Sequence, residues 1–359
     1  MLTMTDGRGF TTTYRYNARN LLIEKIDPGK EKTSELYTYN ADGNIATKID
    51  RNKKETTYRY DCFGRLVYES IGDQYKEYTY DKMGNVLTAK DNTSNISRVY
   101  DSQGRVTKKT VNSLGATTET AAAGTITNDT ATAETITYRY DITTSVPYGM
   151  VAEESIDPKG NATLKIYDQV GRLYQVYTNK TAGQLGSSSS SEAVTYQYYP
   201  NGARKSVTYP NGTTENYTYT KKNQILQLKN VLSNGTILQS YTYTYDPVGN
   251  QLSKEEAGQE AYPGLTQYTY DSLNRLKKVQ EISGKLISYE YDKSGNRTME
   301  LSQKGLDFIR TSYDYDERNR LISSLALSHT DATRKSEYSM TEYSYDKNGN
   351  MLQKKNCLC

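Results

Sequence analysis

Polar and aromatic residues alternate along most of the chain, as in Thr57-Tyr58-Arg59-Tyr60 and Glu77-Tyr78-Thr79-Tyr80. Side chains on a strand point to opposite faces in turn. A period of two therefore predicts strands with one tyrosine face and one wetted face. No segment shows the recurrence at three and four residues that marks an amphipathic helix. After each aromatic pair come Asp or Asn, two variable residues, Gly or Asn, often Asn or Arg, and then an aliphatic residue such as Ile45, Leu66, Val86, Val106 or Leu276. Asp and Asn cap turn backbone with their own side chains, and Gly and Asn tolerate positive φ. This order predicts a type I turn closed by a left-handed residue, the three-residue hairpin with a bulge.

The pattern is a repeat. It aligns at fourteen positions on the second Tyr: Tyr16, Tyr39, Tyr60, Tyr80, Tyr100, Tyr140, Tyr167, Tyr198, Tyr219, Tyr245, Tyr270, Tyr291, Tyr315 and Tyr345. Four places further on, nine copies carry Gly, four carry Asn, and only Thr144 departs. Copies with the fullest signature are Tyr37, Tyr39 and Gly43; Tyr58, Tyr60, Asp61 and Gly64; Tyr78, Tyr80, Asp81 and Gly84. Later ones are Tyr243, Tyr245, Asp246 and Gly249; Tyr289, Tyr291, Asp292 and Gly295; and Tyr343, Tyr345, Asp346 and Gly349. These residues are structural candidates, each explained by strand or turn chemistry. Steps near twenty residues hold two strands and two turns. A single such unit cannot bury its own face, so neighbours must share hydrogen bonds and stack their Tyr rows. The expected fold is all-β: a continuous antiparallel hairpin strip over 1–359, about fourteen units, coiling through its twist. Two stretches interrupt it. Residues 107–135 are Thr/Ala-rich and read as a degenerate repeat or loop; residues 181–193 are Gly/Ser-rich and read as a loop.

Composition narrows the chemistry. The 359 residues include 36 Tyr, 3 Phe and no Trp, so Tyr is expected to be the main buried side chain. The net charge of +3 gives no global field toward nucleic acid. His329 is the sole histidine, which leaves no material for a His-centred triad or a multi-His metal site. Cys62, Cys357 and Cys359 are too few for a disulfide framework, and a zinc site at Cys357-x-Cys359 lacks a partner pair. No cofactor motif is present. No run of eighteen apolar residues predicts a membrane helix, and the first residues lack a signal-peptide pattern. With so many equivalent turn Asp residues, none stands out as catalytic, and the chain reads as a non-enzyme.

Iterated Tyr-x-Tyr-Asp with its following Gly resembles the YD repeats of the Rhs-repeat family, which includes bacterial polymorphic toxin shells, Tc-toxin C components and teneurins. The likeness runs from Tyr14 to Met351. It implies a β-strip forming part of a hollow shell that encloses a C-terminal domain, in a secreted or cell-surface protein. The family's shell-ending core carries paired Asp-Pro-x-Gly motifs and a self-cleavage site. Here Asp157-Pro158-Lys159-Gly160 and Asp246-Pro247-Val248-Gly249 lie too far apart to be that pair. The array is therefore expected to be a partial one, without that core or a toxin domain. Its partners would be the rest of a larger shell and an enclosed domain. An alternative is an aromatic repeat that binds cell-surface or cell-wall carbohydrate by stacking on Tyr.

Overall fold

The computed structural model describes residues 1–113, 133–144, 146–181, 192–259 and 263–358. Among them are twenty-nine strands and no α-helix, in one open antiparallel sheet, as the alternation predicts. No helix of the described residues is long and apolar enough to cross a membrane. Contacts divide the chain into two compact units. The first holds Met1–Glu55, Tyr219–Leu228 and Leu238–Cys359; the second holds Thr56–Thr218 and Lys229–Ile237.

The hairpin Glu55–Tyr60 with Leu66–Ile71 shows how the repeat folds. Its register runs from Thr56↔Ile71 to Tyr60↔Leu66 and slips by one residue between Arg59 and Tyr60. The slip is the bulge that a three-residue turn requires. Asp61 N donates to Arg65 O at 3.0 Å, and Gly64 N donates to Asp61 O at 3.0 Å. The same slip precedes Tyr39, Tyr80, Tyr100, Tyr245, Tyr270, Tyr291, Tyr315 and Tyr345. All thirteen Gly and Asn residues of the turn column take positive φ, from 59° at Asn20 to 108° at Gly249. The aspartate is dispensable for the turn. Tyr199 N still donates to Ala203 O, and Thr220 Oγ1 accepts from Lys222 N where Asp would otherwise serve.

The turns at the opposite end of the strands, called outer turns below, use the same bonding. Gly160 N donates to Asp157 O and Gly284 N to Glu281 O, each at 3.0 Å. Asp157-Pro158-Lys159-Gly160 is thus an outer turn, whereas Asp246-Pro247-Val248-Gly249 is a tyrosine-side turn. On the wetted face, the residue between the two Tyr bonds across the hairpin. Thr38 meets Thr47 at 2.8 Å, and Thr79 meets Thr88 at 2.6 Å. These cross-strand pairs belong to the side-chain contacts that hold a sheet in register.

Two expectations need correction. The turn after Tyr140 does not form in the common way. With Thr144 in place of Gly, the left-handed residues lie elsewhere: Asp141 takes φ 53° and Gly149 φ 77°, and the ladder is bulged between Arg139 and Ile142. Tyr is also not the deeply buried residue type. Among the described residues only Tyr177 is fully buried. Most other rings lie along the sheet face, half covered, while Tyr148 stands in a turn and is 98% exposed. The deeply buried apolar cluster is Ala152, Leu164, Ile166, Tyr177 and Ala193, in the second unit. Of the two irregular stretches, residues 114–132 and 182–191 lie outside the described residues. The flanks Val106–Ser113 and Ala133–Ile142 pair antiparallel, with Lys108 opposite Thr137 and Asn112 opposite Ala133.

Candidate functional site

Two sets of contacts stand out, one joining each hairpin to the next and one joining distant hairpins of the first unit. The first is built on the second Tyr. In ten copies its hydroxyl donates to the backbone carbonyl that opens the return strand of the preceding hairpin, whereas Tyr167 donates to the Glu153 carboxylate. Within the second unit Tyr80 bonds Leu66 O at 2.6 Å, Tyr100 bonds Val86 O at 2.7 Å, and Tyr140 bonds Val106 O at 2.8 Å. Within the first unit Tyr39 reaches Leu22 O, Tyr245 reaches Ile225 O, Tyr291 reaches Leu276 O and Tyr345 reaches Leu321 O. That carbonyl belongs to the residue paired with the second Tyr of its own hairpin, just past the bulge, and the phenol of the next hairpin donates to it. The hydroxyls so used are mostly held above the ordinary tyrosine range. Burial raises Tyr39, Tyr80, Tyr140, Tyr245 and Tyr270.

The Arg that follows the turn Gly or Asn completes this clamp. Arg65 bonds Asp61 through Nε at 2.7 Å, donates from Nη1 to Asp81 O at 2.9 Å, and lies 4.6 Å from the Tyr80 ring centroid. Arg275 repeats this with Asp271, Asp292 O and Tyr291; Arg320 does so with Asp316, Asp346 O and Tyr345. A planar guanidinium can bind a carboxylate, donate to a carbonyl and stack on a ring at once. Where Asn stands instead, it bonds its own turn Asp, as Asn85 does Asp81 and Asn161 does Asp157. The sequence-selected residues are therefore scattered as structural elements along the strip. They do not converge on one catalytic pocket.

The second set is a seam within the first unit. Three tyrosine-side turns near residues 292–296, 316–320 and 346–350 dock on three outer turns at 6–9, 27–33 and 50–53. Arg8 N donates to Ser294 Oγ at 3.2 Å, and its guanidinium reaches Asp316 O at 2.9 Å. Gly7 lies so close to Lys293 that a Cβ there would sit 2.1 Å from its carbonyl oxygen. Arg318 Nη1 bonds Asp27 at 3.2 Å and Lys347 O at 2.8 Å. Asn52 and Asp50 exchange bonds with the 346–348 turn. Lys347 N donates to Asn52 Oδ1, Asn52 Nδ2 to Asp346 Oδ2, and Asn348 Nδ2 to Asp50 Oδ2 at 2.7 Å.

Asp27 is the buried charge at the centre, its side chain 6% exposed. Burial pushes its carboxyl up. Hydrogen bonds from Arg51 and Thr33, with the charges of Arg51 and Arg318, outweigh that and hold it below the ordinary range. Arg51 also binds Glu35 at 2.9 Å, and Glu35 accepts from Tyr37, whose hydroxyl burial and the Glu35 charge push up to about 12. A cleft of about 380 Å³ opens beside this network, lined by Tyr14, Asp27, Arg51, Arg318 and Asn319 among others. Its three arginines, Arg51, Arg318 and Arg320, already face carboxylates, so it reads as a joint between hairpins. No cluster of His, Cys, Asp and Glu among the described residues could hold a metal ion.

Sequence reasoning missed the seam. The residue just before the left-handed Gly or Asn is polar in the docked turns, Ser294, Arg318 and Asn348, but it is also polar at Arg19, Asp42, Gln103, Asn201 and Lys222, so it does not mark docking in the sequence. Each of the three in the docked turns bonds across the seam.

The fold and its clamps define the chain as a tyrosine-clamped β-hairpin repeat strip. Residues 45–114 match the family model described as the teneurin YD-shell. A crystal structure of TcdB2-TccC3-Cdc42 superposes with a TM-score of 0.61 at 16% identity, over 97% of this chain and 22% of that one. TcdB2-TccC3 without its hypervariable C-terminal region gives 0.60 at 17%, over 99% and 19%. A Photorhabdus luminescens Tc holotoxin pore gives 0.50 at 15%, over 96% and 23%. This chain thus spans about a fifth of the length of these structures, and at such identity they speak for the fold. No curated protein sequence matches it. The chain is thus similar to the teneurin YD-shell over residues 45–114 and shares the fold of these structures over nearly its whole length.

Proposed function

We propose that this chain is a non-catalytic wall segment of a larger Rhs-type shell, in a secreted or cell-surface protein, and that the complete protein encloses a further domain. The observation that carries the reading is the use of the functional groups. Most second-Tyr hydroxyls, such as that of Tyr80, are spent on backbone carbonyls and turn Asp carboxylates such as that of Asp61 on turn amides and Arg, so much of the repeat's polar chemistry is used in holding hairpins together. The seam supports it further, because it joins hairpins roughly three hundred residues apart, as a wall of overlapping courses requires.

Carbohydrate binding is the rival role for the Tyr rows. Against it, the rings of Tyr80, Tyr140, Tyr198, Tyr291 and Tyr345 are already faced by Arg guanidinium groups. The deciding experiment compares the wild-type chain with Tyr80→Phe and Tyr291→Phe. It measures thermal unfolding and capture by peptidoglycan and a glycan array. The wall reading expects a lower unfolding midpoint and no saturable capture by either protein. Saturable glycan capture that disappears in the variants at an unchanged midpoint would overturn it. Enclosure is tested on the full-length parent: a domain following the array should resist protease until the strip is breached.

A further inference from the structure

The seam shows which turn position touches a neighbouring course. In all three docked turns it is the residue before the left-handed Gly or Asn, and each bonds a polar group of the facing turn. In the second unit the same position carries Phe63, 80% exposed, and Met83, 71% exposed, on consecutive tyrosine-side turns. The next turn in that row, at Gln103, is also exposed. Within its hairpin Phe63 meets the Arg65 guanidinium, 5.1 Å from the ring centroid, and both tips leave most of their apolar surface to solvent.

The outer turns carry a matching pair. Ile282, 62% exposed, holds the outer-turn position that Gly7 and Arg51 hold in the seam, and Leu306, 66% exposed, sits on the next outer turn. Along either row, consecutive tips are one hairpin apart, about 10 Å for two strands. The seam also sets the direction: successive tyrosine-side turns meet successive outer turns in the same chain order. The pair Val248 and Leu273 is less open to a long row, because the turn after Leu273 is the one already docked on Arg8.

We propose that a second copy of this chain docks its Ile282 and Leu306 outer turns on the Phe63 and Met83 turn tips, Ile282 against Phe63 and Leu306 against Met83. This contact reproduces the seam between molecules, with apolar packing in place of the amide and guanidinium bonds. The two surfaces differ, so the contact is head-to-tail, between different patches of the two copies.

Sedimentation velocity of the full chain over a concentration series tests this with two variants, Phe63→Lys/Met83→Lys and Ile282→Lys/Leu306→Lys. Phe63→Gln/Met83→Gln serves should the first not fold; circular dichroism checks folding. The wild-type chain should form concentration-dependent oligomers, and each variant alone should sediment as a monomer. Mixed, the two variants should form one-to-one pairs, because each keeps one intact surface. A wild-type chain that stays monomeric overturns the proposal and leaves the row to a different protein. Oligomers that persist in both variants overturn it in favour of pairing between strand edges. Variants that stay monomeric when mixed also overturn it.

Discussion

Arg8 Nη2 lies 2.9 Å from the carbonyl oxygen of Asp316, a residue 308 positions away. In the strip, the corresponding carbonyls of Asp81, Asp292 and Asp346 receive a guanidinium from the preceding turn, from Arg65, Arg275 and Arg320. The turn before Asp316 carries Asn296 in that place, and Asn296 bonds Asp292 and Asn319 instead. Arg8 thus supplies from a distant hairpin what the local repeat lacks. Arg8→Ala should loosen the seam around residues 292–320, with faster amide exchange at Ser294 and its neighbours. Unchanged protection there would count against the docked arrangement.

The phenol-to-carbonyl bond should be measurable one hydroxyl at a time. Tyr80→Phe removes the phenol that donates to the Leu66 carbonyl and should cost about 1 kcal/mol, the usual net worth of such a bond. Tyr78→Phe, on the first Tyr of the same strand, removes a hydroxyl without a partner and should cost close to nothing. Denaturant unfolding of both variants gives the comparison, and equal losses would remove the special role of the second Tyr.

Arg65→Lys keeps the charge and breaks the clamp. An ammonium cannot bind Asp61, donate to Asp81 O and stack on Tyr80 together. A loss of about 1 kcal/mol is expected from the stacking and fork geometry. Arg65→Lys matching the wild type in unfolding midpoint would show that charge alone suffices.

Glycines at two turns should respond differently. At Gly84, φ 91°, an added Cβ meets nothing within 4 Å, so Gly84→Ala costs only backbone strain, about 1 kcal/mol. Gly84→Asn should cost less, since Asn20, Asn223, Asn274 and Asn319 hold that conformation natively. Gly7→Ala should instead open the seam through its clash with the Lys293 carbonyl. Amide exchange across 292–296 separates the two cases.

Acid should open the seam before it melts the hairpins. Asp27 is held below its ordinary value despite burial by the Arg51 and Thr33 hydrogen bonds and the Arg51 and Arg318 charges. Asp346 is lowered to about 2, by Asn350 first and Asn52 second. A carboxyl with a depressed folded pKa stabilises fully above its unfolded pKa, about 3.9, and loses that contribution as pH falls through the folded value. Seam protection should therefore be flat above about pH 4 and fall from there toward about pH 2, the folded value of Asp346. Asp27→Asn should weaken the seam already at neutral pH, by about 3 kcal/mol, because it leaves two guanidinium groups facing a neutral amide. A pH profile of amide exchange that is unchanged in Asp27→Asn would refute this assignment.

The strands, the bulged turns and the left-handed column were legible because each depends on residues within one hairpin. A period of two at Tyr58 and Tyr60 and the φ tolerance of Gly64 act over a few bonds, so the local chain carries the instruction whole. The clamp was half legible: Arg beside the turn and Tyr on the strand were visible, but the carbonyl that receives the phenol is defined only once the preceding hairpin is in register. The exception at Tyr140 was flagged by Thr144, and how the chain resolves it, with Asp141 left-handed, needed the fold. Tyr burial was overestimated because composition counts apolar area but not how many sides of a ring a sheet face can cover. The seam lay beyond the sequence altogether. Asp27, Arg51 and Arg318 share no period and no neighbourhood in the chain, and only the path of the strip brings their turns into contact, where burial makes their charges depend on one another.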